Sequence, residues 1–174
     1  DTAEKRKSLI AQLENVKSFC FDTETTNIDA NNAELVGLSF AFTPHEAWYI
    51  PVPANYDEAR ELVHEFKAVF ENKNIGKTGQ NIKYDMMMLK WYDVAVQGPL
   101  FDTMLAHYLV EPDMRHNMNL LAGVYLNYEP VKIETLIGEK KSEQTSMRDV
   151  DIAIIKDYAA EDADITLQLQ HKLE

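Results

Sequence analysis

The spacing of hydrophobic positions changes several times along this chain, and each change marks an element. Leu9, Ile10 and Leu13 stand among charges at helical spacing. Val16 to Phe21 is then continuously apolar and aromatic apart from Lys17 and Ser18, which predicts a buried strand ending at Asp22. Leu35 to Phe42 and Ala47 to Val52 are two further strand candidates joined by the turn-forming Thr43-Pro44-His45-Glu46, so the three read as a meander. Asp57 to Phe70 predicts a helix with Leu62, Val63, Phe66, Val69 and Phe70 on one face and Asp57 as its N-cap. A short strand, Ile75 to Gly79, precedes a helix from Asn81 to Trp91.

The second half is mostly helical. Phe101 to Val110 stops at Glu111-Pro112, and Met118 to Leu126 follows with Leu120, Leu121, Val124 and Tyr125 as its apolar positions. Residues 138 to 149 are polar and predict a mobile loop. From Asp151 to the end runs one long helical pattern carrying Ile154, Ile155, Tyr158, Ile165, Leu167 and Leu169. Early strands with helices mixed in later predict an α/β fold, a mixed central sheet with helices on both faces. A length of 174 residues suits one domain, 1–174, with a core of its own.

Charge narrows the function classes. With 29 acidic and 17 basic residues the formal net charge is −12, which argues against a simple nucleic-acid-binding module working through a basic face. The single cysteine, Cys20, lies between Phe19 and Phe21, cannot pair internally, and reads as a reduced, buried thiol of a cytosolic protein. No apolar run approaches the ~20 residues of a membrane span. The chain starts without Met and without a signal-peptide core, and is read as a fragment of something longer.

Several motifs fail. Gly76-Lys77-Thr78 resembles the end of a phosphate-binding loop, but Glu71 stands where that loop needs its first glycine. Five histidines without an H-x-x-x-H pair, and one cysteine, give no zinc set.

Carboxylates remain. Asp22 and Glu24, at i and i+2 where the first strand ends, point to the same face. Such a D-x-E pair arises by chance about once in a chain this acidic, and a solvated strand end is an equal account of it. Tyr158 and Asp162 share a face of the last helix one turn apart, which a local hydrogen bond would also explain. Asp85 alone reads as a first-turn acid. Together the three segments say more. Four carboxylates at ~4 Å spacing would repel by about 4 kcal/mol per pair at an effective dielectric near 20, so a convergent cluster requires cations. Hard oxygen donors alone select Mg²⁺ or Mn²⁺ over Zn²⁺, and two such ions form the clamp used for in-line attack on phosphodiesters.

Phe21-Asp22-Thr23-Glu24-Thr25-Thr26, Gly79-Gln80-Asn81-Ile82-Lys83-Tyr84-Asp85 and the run from Tyr158 through Asp162 to Leu169 resemble, in order, the three exonuclease motifs of the proofreading domains of bacterial DNA polymerase I. That family belongs to the DEDD superfamily with a three-layer ribonuclease H-like fold. Tyr158 stands four residues before the last Asp, with Asp157 in the histidine slot, so the chain is similar to the tyrosine subclass. The resemblance implies a 3′-to-5′ exodeoxyribonuclease that uses two divalent ions, Mg²⁺ or Mn²⁺, and removes 5′-mononucleotides from single-stranded or frayed 3′ ends. It implies that Asp22, Glu24 and Asp162 hold the ion carrying the attacking water and that Asp22 also bridges to the second ion. Asp85 would support that second ion through its waters. The Tyr158 hydroxyl would orient the water, since a group with a pKa near 10 is a poor base at neutral pH. Thr25, Ile28, Gln80, Asn81, Tyr84 and Arg115 would contact the strand, Ile28 at the terminal base and Arg115 at a phosphate. The polymerase part of the same longer chain would be the partner, and the fragment is expected to be monomeric in a bacterial cytoplasm. A ribonuclease D-type exoribonuclease and an inert structural domain are the competing expectations.

Overall fold

The computed structural model describes residues 2–139 and 144–174. Its strands are β1 (Ser18–Thr25), β2 (Leu35–Thr43), β3 (Glu46–Pro51), β4 (Gly76–Gly79) and β5 (Leu100–Asp102). Its α-helices are α1 (Ala3–Leu13), α2 (Tyr56–Glu65), α3 (Lys67–Phe70), α4 (Ile82–Trp91), α5 (Thr103–Val110), α6 (Met118–Leu121), α7 (Glu134–Ile137) and α8 (Ile152–Leu173). The strands form one sheet in the order β3-β2-β1-β4-β5. β1, β2 and β3 pair antiparallel as the predicted meander, whereas β4 and β5 add in parallel on the other side of β1.

β1 is central, and its alternation divides the molecule. Phe19 and Phe21 point to one face, where they join Phe40, Phe66 and Phe70 and the buried residues of α1 to α4. The aromatic centroids there lie 5.0 to 6.3 Å apart, the range of favourable tilted and edge contacts. Cys20 points to the opposite face and packs on Ala41, Ala163 and Leu167. These are mostly small residues, so α8 can lie close against the strand. The predicted α/β arrangement with helices on both faces is therefore the observed one.

Several boundaries differ from the sequence reading. β1 continues to Thr25, because Asp22 and Glu24 occupy ladder positions opposite Ser39 and Gly37. The N-cap of α2 is Asn55, whose Oδ1 accepts from the N–H groups of Asp57 and Glu58 at 3.0 and 3.1 Å; Asp57 is a first-turn acid. The predicted helix from 57 to 70 breaks at Phe66, whose N–H turns back to the Val63 carbonyl while its ring stacks on Phe40. β5 replaces the start of the predicted helix at Phe101, because Leu100 to Asp102 pair with β4. The helix predicted for 118 to 126 becomes a π-helix from Ala122 to Leu126.

Part of the segment predicted as a mobile loop is packed, around Met147, while Glu139, Gln144, Thr145 and Asp149 are exposed. Met147 is buried, Met147–Asp149 form a 3₁₀ turn, and Arg148 donates to the carbonyls of Val52 (3.2 Å) and Leu35. Residues 140–143 of that segment lie outside the described residues. Lys77, part of the rejected phosphate-loop motif, is buried with its ammonium on the carbonyls of Asn72, Ile75 and Gln97 at 2.6 to 2.9 Å. Burial lowers its pKa to about 8. It is a structural pin. Among the described residues no helix is long and apolar enough to cross a membrane.

Candidate active site

The same alternation that buries Phe19 and Phe21 sends Asp22 and Glu24 to the α8 face of β1. There α8 supplies Asp162, and one oxygen from each of Asp22, Glu24 and Asp162 lies within 4.8 Å of the others. Tyr158 is one helical turn before Asp162 and lines the same cleft. Two local features let Glu24 reach inward. β1 has a register shift between Glu24 and Thr25, a bulge that re-aims the strand end. Gly37, the ladder partner of Glu24, has no side chain, and the Tyr49 ring occupies the space a Cβ would need.

Asp85 approaches from the opposite side. It is 3% exposed on α4, whose Met88 and Leu89 belong to the phenylalanine core. Its Oδ1 accepts from both the backbone N–H (3.1 Å) and the hydroxyl (2.5 Å) of Thr23. The structure thus unites Asp22, Glu24, Asp162 and Tyr158, and ties Asp85 to the strand just beneath them, outside the three-acid group.

Burial and mutual repulsion dominate the electrostatics. Burial pushes the Asp22 carboxyl up to about 7 against the opposing pull of the Thr23 backbone N–H. Glu24, Asp85 and Asp162 are all raised well above the carboxylate range, first by burial and next by the charge of Asp22. The Tyr158 hydroxyl is likewise raised by burial and by the charges of Asp162, Glu24 and Asp22. Like charges 4.8 Å apart repel by about 3 kcal/mol at an effective dielectric near 20. Glu24 Oε1 and Asp162 Oδ1 are moreover buried without a hydrogen-bond partner. Converging hard oxygens, two of them unpartnered, fit a divalent cation that prefers oxygen ligands.

The cleft around these acids measures about 500 Å³. Thr25, Ile28, Asn81 and Tyr84 line it. Asn81 sits at the start of α4 with φ 59°, a left-handed conformation asparagine tolerates, and it makes no side-chain cap. The cap is Asp102, whose two oxygens accept from the N–H groups of Asn81 and Ile82 at 3.1 Å, while Oδ1 also caps α5. Gln80 and Arg115 are not brought to the cleft. Gln80 donates to the His116 carbonyl at 2.7 Å and accepts from Thr103, and Arg115 is exposed outside the lining. Sequence reasoning missed the far wall: Ile133, Ile137, Thr145 and Met147. Met147 and the apolar pair Ile133 and Ile137 at i and i+4 were the available signals.

The family model described as 3′-5′ exonuclease matches residues 1–174. DNA polymerase I of Pseudomonas aeruginosa is 36% identical over 173 residues, covering 94% of this chain and 19% of that protein. The chain therefore spans about a fifth of that relative's length. NrnC of Brucella melitensis with bound Mg²⁺ superimposes with a TM-score of 0.70 at 19% identity, covering 91% of this chain and 72% of that one. The exoribonuclease RNase D of Escherichia coli superimposes with a TM-score of 0.71 at 19% identity, covering 99% of this chain and 42% of that one.

Proposed function

Since this chain belongs to the family of 3′-5′ exonuclease domains found in bacterial DNA polymerase I, we propose that it removes 5′-mononucleotides from single-stranded or frayed DNA 3′ ends with two divalent ions, Mg²⁺ or Mn²⁺. The observation that carries this reading is the convergence of Asp22, Glu24 and Asp162 with two buried oxygens unpartnered. Divalent ions held there supply Lewis-acid activation of water and neutralise charge on the leaving oxygen.

The residues divide the remaining work. Asp22, Glu24 and Asp162 are the ligands, and Asp85, fixed by Thr23, adds the fourth negative charge beside Asp22. The raised pKa of Tyr158 keeps its hydroxyl protonated, so it orients the attacking water by hydrogen bonding and does not act as the base. Ile28 packs on the terminal base, while Thr25, Asn81 and Tyr84 line the path of the strand. Residues 1–174 act as one domain of a longer cytoplasmic polymerase chain, whose other parts deliver the 3′ end. The net charge of −12 supports that dependence, since little basic surface is left to grip a duplex.

The fold shared with RNase D keeps an exoribonuclease as the second reading. Incubating the chain with labelled single-stranded DNA and Mn²⁺ tests the first: mononucleotide release abolished by EDTA is expected. Absence of release across a metal titration leaves an inert structural domain. Faster release from RNA of the same sequence favours the second reading.

A further inference from the structure

Ile28 is 95% exposed, more than any other large apolar side chain among the described residues. A single exposed isoleucine is ordinary, but the backbone that carries this one is not loose. The Asn27 carbonyl accepts from the Tyr84 hydroxyl, and Thr25 Oγ1 stands 2.7 Å from the same hydroxyl. On the other flank, the Ala30 carbonyl accepts from the Trp91 indole N–H at 2.9 Å. Tyr84 and Trp91 are seven residues apart on α4, close to two turns, so a single helix grips both ends of the arc. Between them Asp29 knits the turn, accepting from Asn31 and Asn32 at 2.6 to 3.0 Å.

The anchor is itself anchored. Tyr56 donates to the Trp91 carbonyl at 2.8 Å, and Ala30 is buried. The helix that holds the arc also carries Asp85 and begins at Asn81 in the cleft. Trp91 thereby sets where Ile28 stands relative to the acids without lining the cleft itself.

Resting on the exonuclease reading above, we propose that Trp91 is a positioning residue for the substrate: its indole N–H, holding the Ala30 carbonyl, fixes the arc that presents Ile28 to the unpaired base of the 3′-terminal nucleotide. Losing one hydrogen bond of ordinary net strength weakens binding about fivefold.

The test is a double-mutant cycle on strand binding. A 5′-labelled single-stranded oligodeoxythymidylate, its last linkage a phosphorothioate to slow hydrolysis, is titrated in Mg²⁺ against the parent, Trp91→Phe, Ile28→Ala and the double variant. Trp91→Phe is expected to bind about fivefold more weakly, and the double variant no more weakly than Ile28→Ala alone, because Trp91 acts through Ile28. Parental affinity in Trp91→Phe, a double variant equal to the product of the two single effects, or a parent that binds no strand overturns the proposal. A merely structural loss would multiply with Ile28→Ala and not vanish in its background. Should Trp91→Phe fail to fold, Tyr56→Phe, which removes the hydroxyl that donates to the Trp91 carbonyl, takes its place in the cycle. Weaker strand binding that vanishes in the Ile28→Ala background supports the assignment, and parental affinity overturns it. A parent that binds the strand but releases no mononucleotide would sink the exonuclease reading and leave this one standing.

Discussion

The two faces of β1 are built from alternate residues of the same eight and could hardly differ more. One face ends in Phe19 and Phe21, buried among aromatic rings that ask for no partner beyond one another. The other ends in Asp22 and Glu24, crowded against Asp162 with oxygens left unpartnered. The first face stabilises the fold, and the second strains it. Chemistry is possible on the second because the first holds the strand in place, much as functional sites elsewhere store strain that the surrounding structure over-determines.

The sharpest way to break this contrast is at Asp22. Asp22→Ala is expected to lower the rate of mononucleotide release by about a thousandfold or more, since it removes one of the three converging carboxylates proposed to hold ions worth several kcal/mol of transition-state stabilisation. The same change relieves repulsion, so without metal the variant should melt no lower than the parent. Phe21→Ala is the mirror experiment. It should cost about 3–5 kcal/mol of stability and lower the melting temperature by about 10 °C, with the carboxylates still in place. If Asp22→Ala instead melted far lower than Phe21→Ala, the two faces would not differ as described.

Tyr158→Phe probes the acidic face more gently. Removing one orienting hydroxyl should slow turnover about tenfold to a hundredfold while leaving metal affinity unchanged, as a Mn²⁺ titration would read. A collapse of metal affinity would make the tyrosine a structural prop for Asp162.

The smallest effect is on stability against pH. Folded Asp22 titrates near 7, whereas an unfolded aspartate titrates near 4. Between those values the folded protein binds more protons than the unfolded one, so stability without metal falls as pH rises from about 4 to about 7. Divalent ions should cancel that loss, raising the melting temperature more at pH 8 than at pH 5. An equal shift at both would mean that the acids are not the binding site.

Much of this was legible in the sequence, and for physical reasons. Period-two alternation placed Asp22 and Glu24 on one face, and the one-turn spacing of Tyr158 and Asp162 placed them together. What was hidden depends on contacts between distant segments. β5 is three residues long, too short for any period, and is defined by its pairing with Lys77 to Gly79. The wall at Thr145 and Met147 is made by Arg148 reaching the Val52 and Leu35 carbonyls, which no local pattern encodes. Gln80 and Arg115 carry the right chemistry for a strand. Yet the Gln80 amide is taken up by Thr103 and the His116 carbonyl, and Arg115 lies outside the cleft lining.

A crystal structure soaked in Mn²⁺, read by anomalous scattering, tests the central claim most directly. Manganese is expected among Asp22, Glu24 and Asp162, with a second ion toward Asp85. A well-ordered site in saturating Mn²⁺ with no anomalous peak among these carboxylates would contradict it.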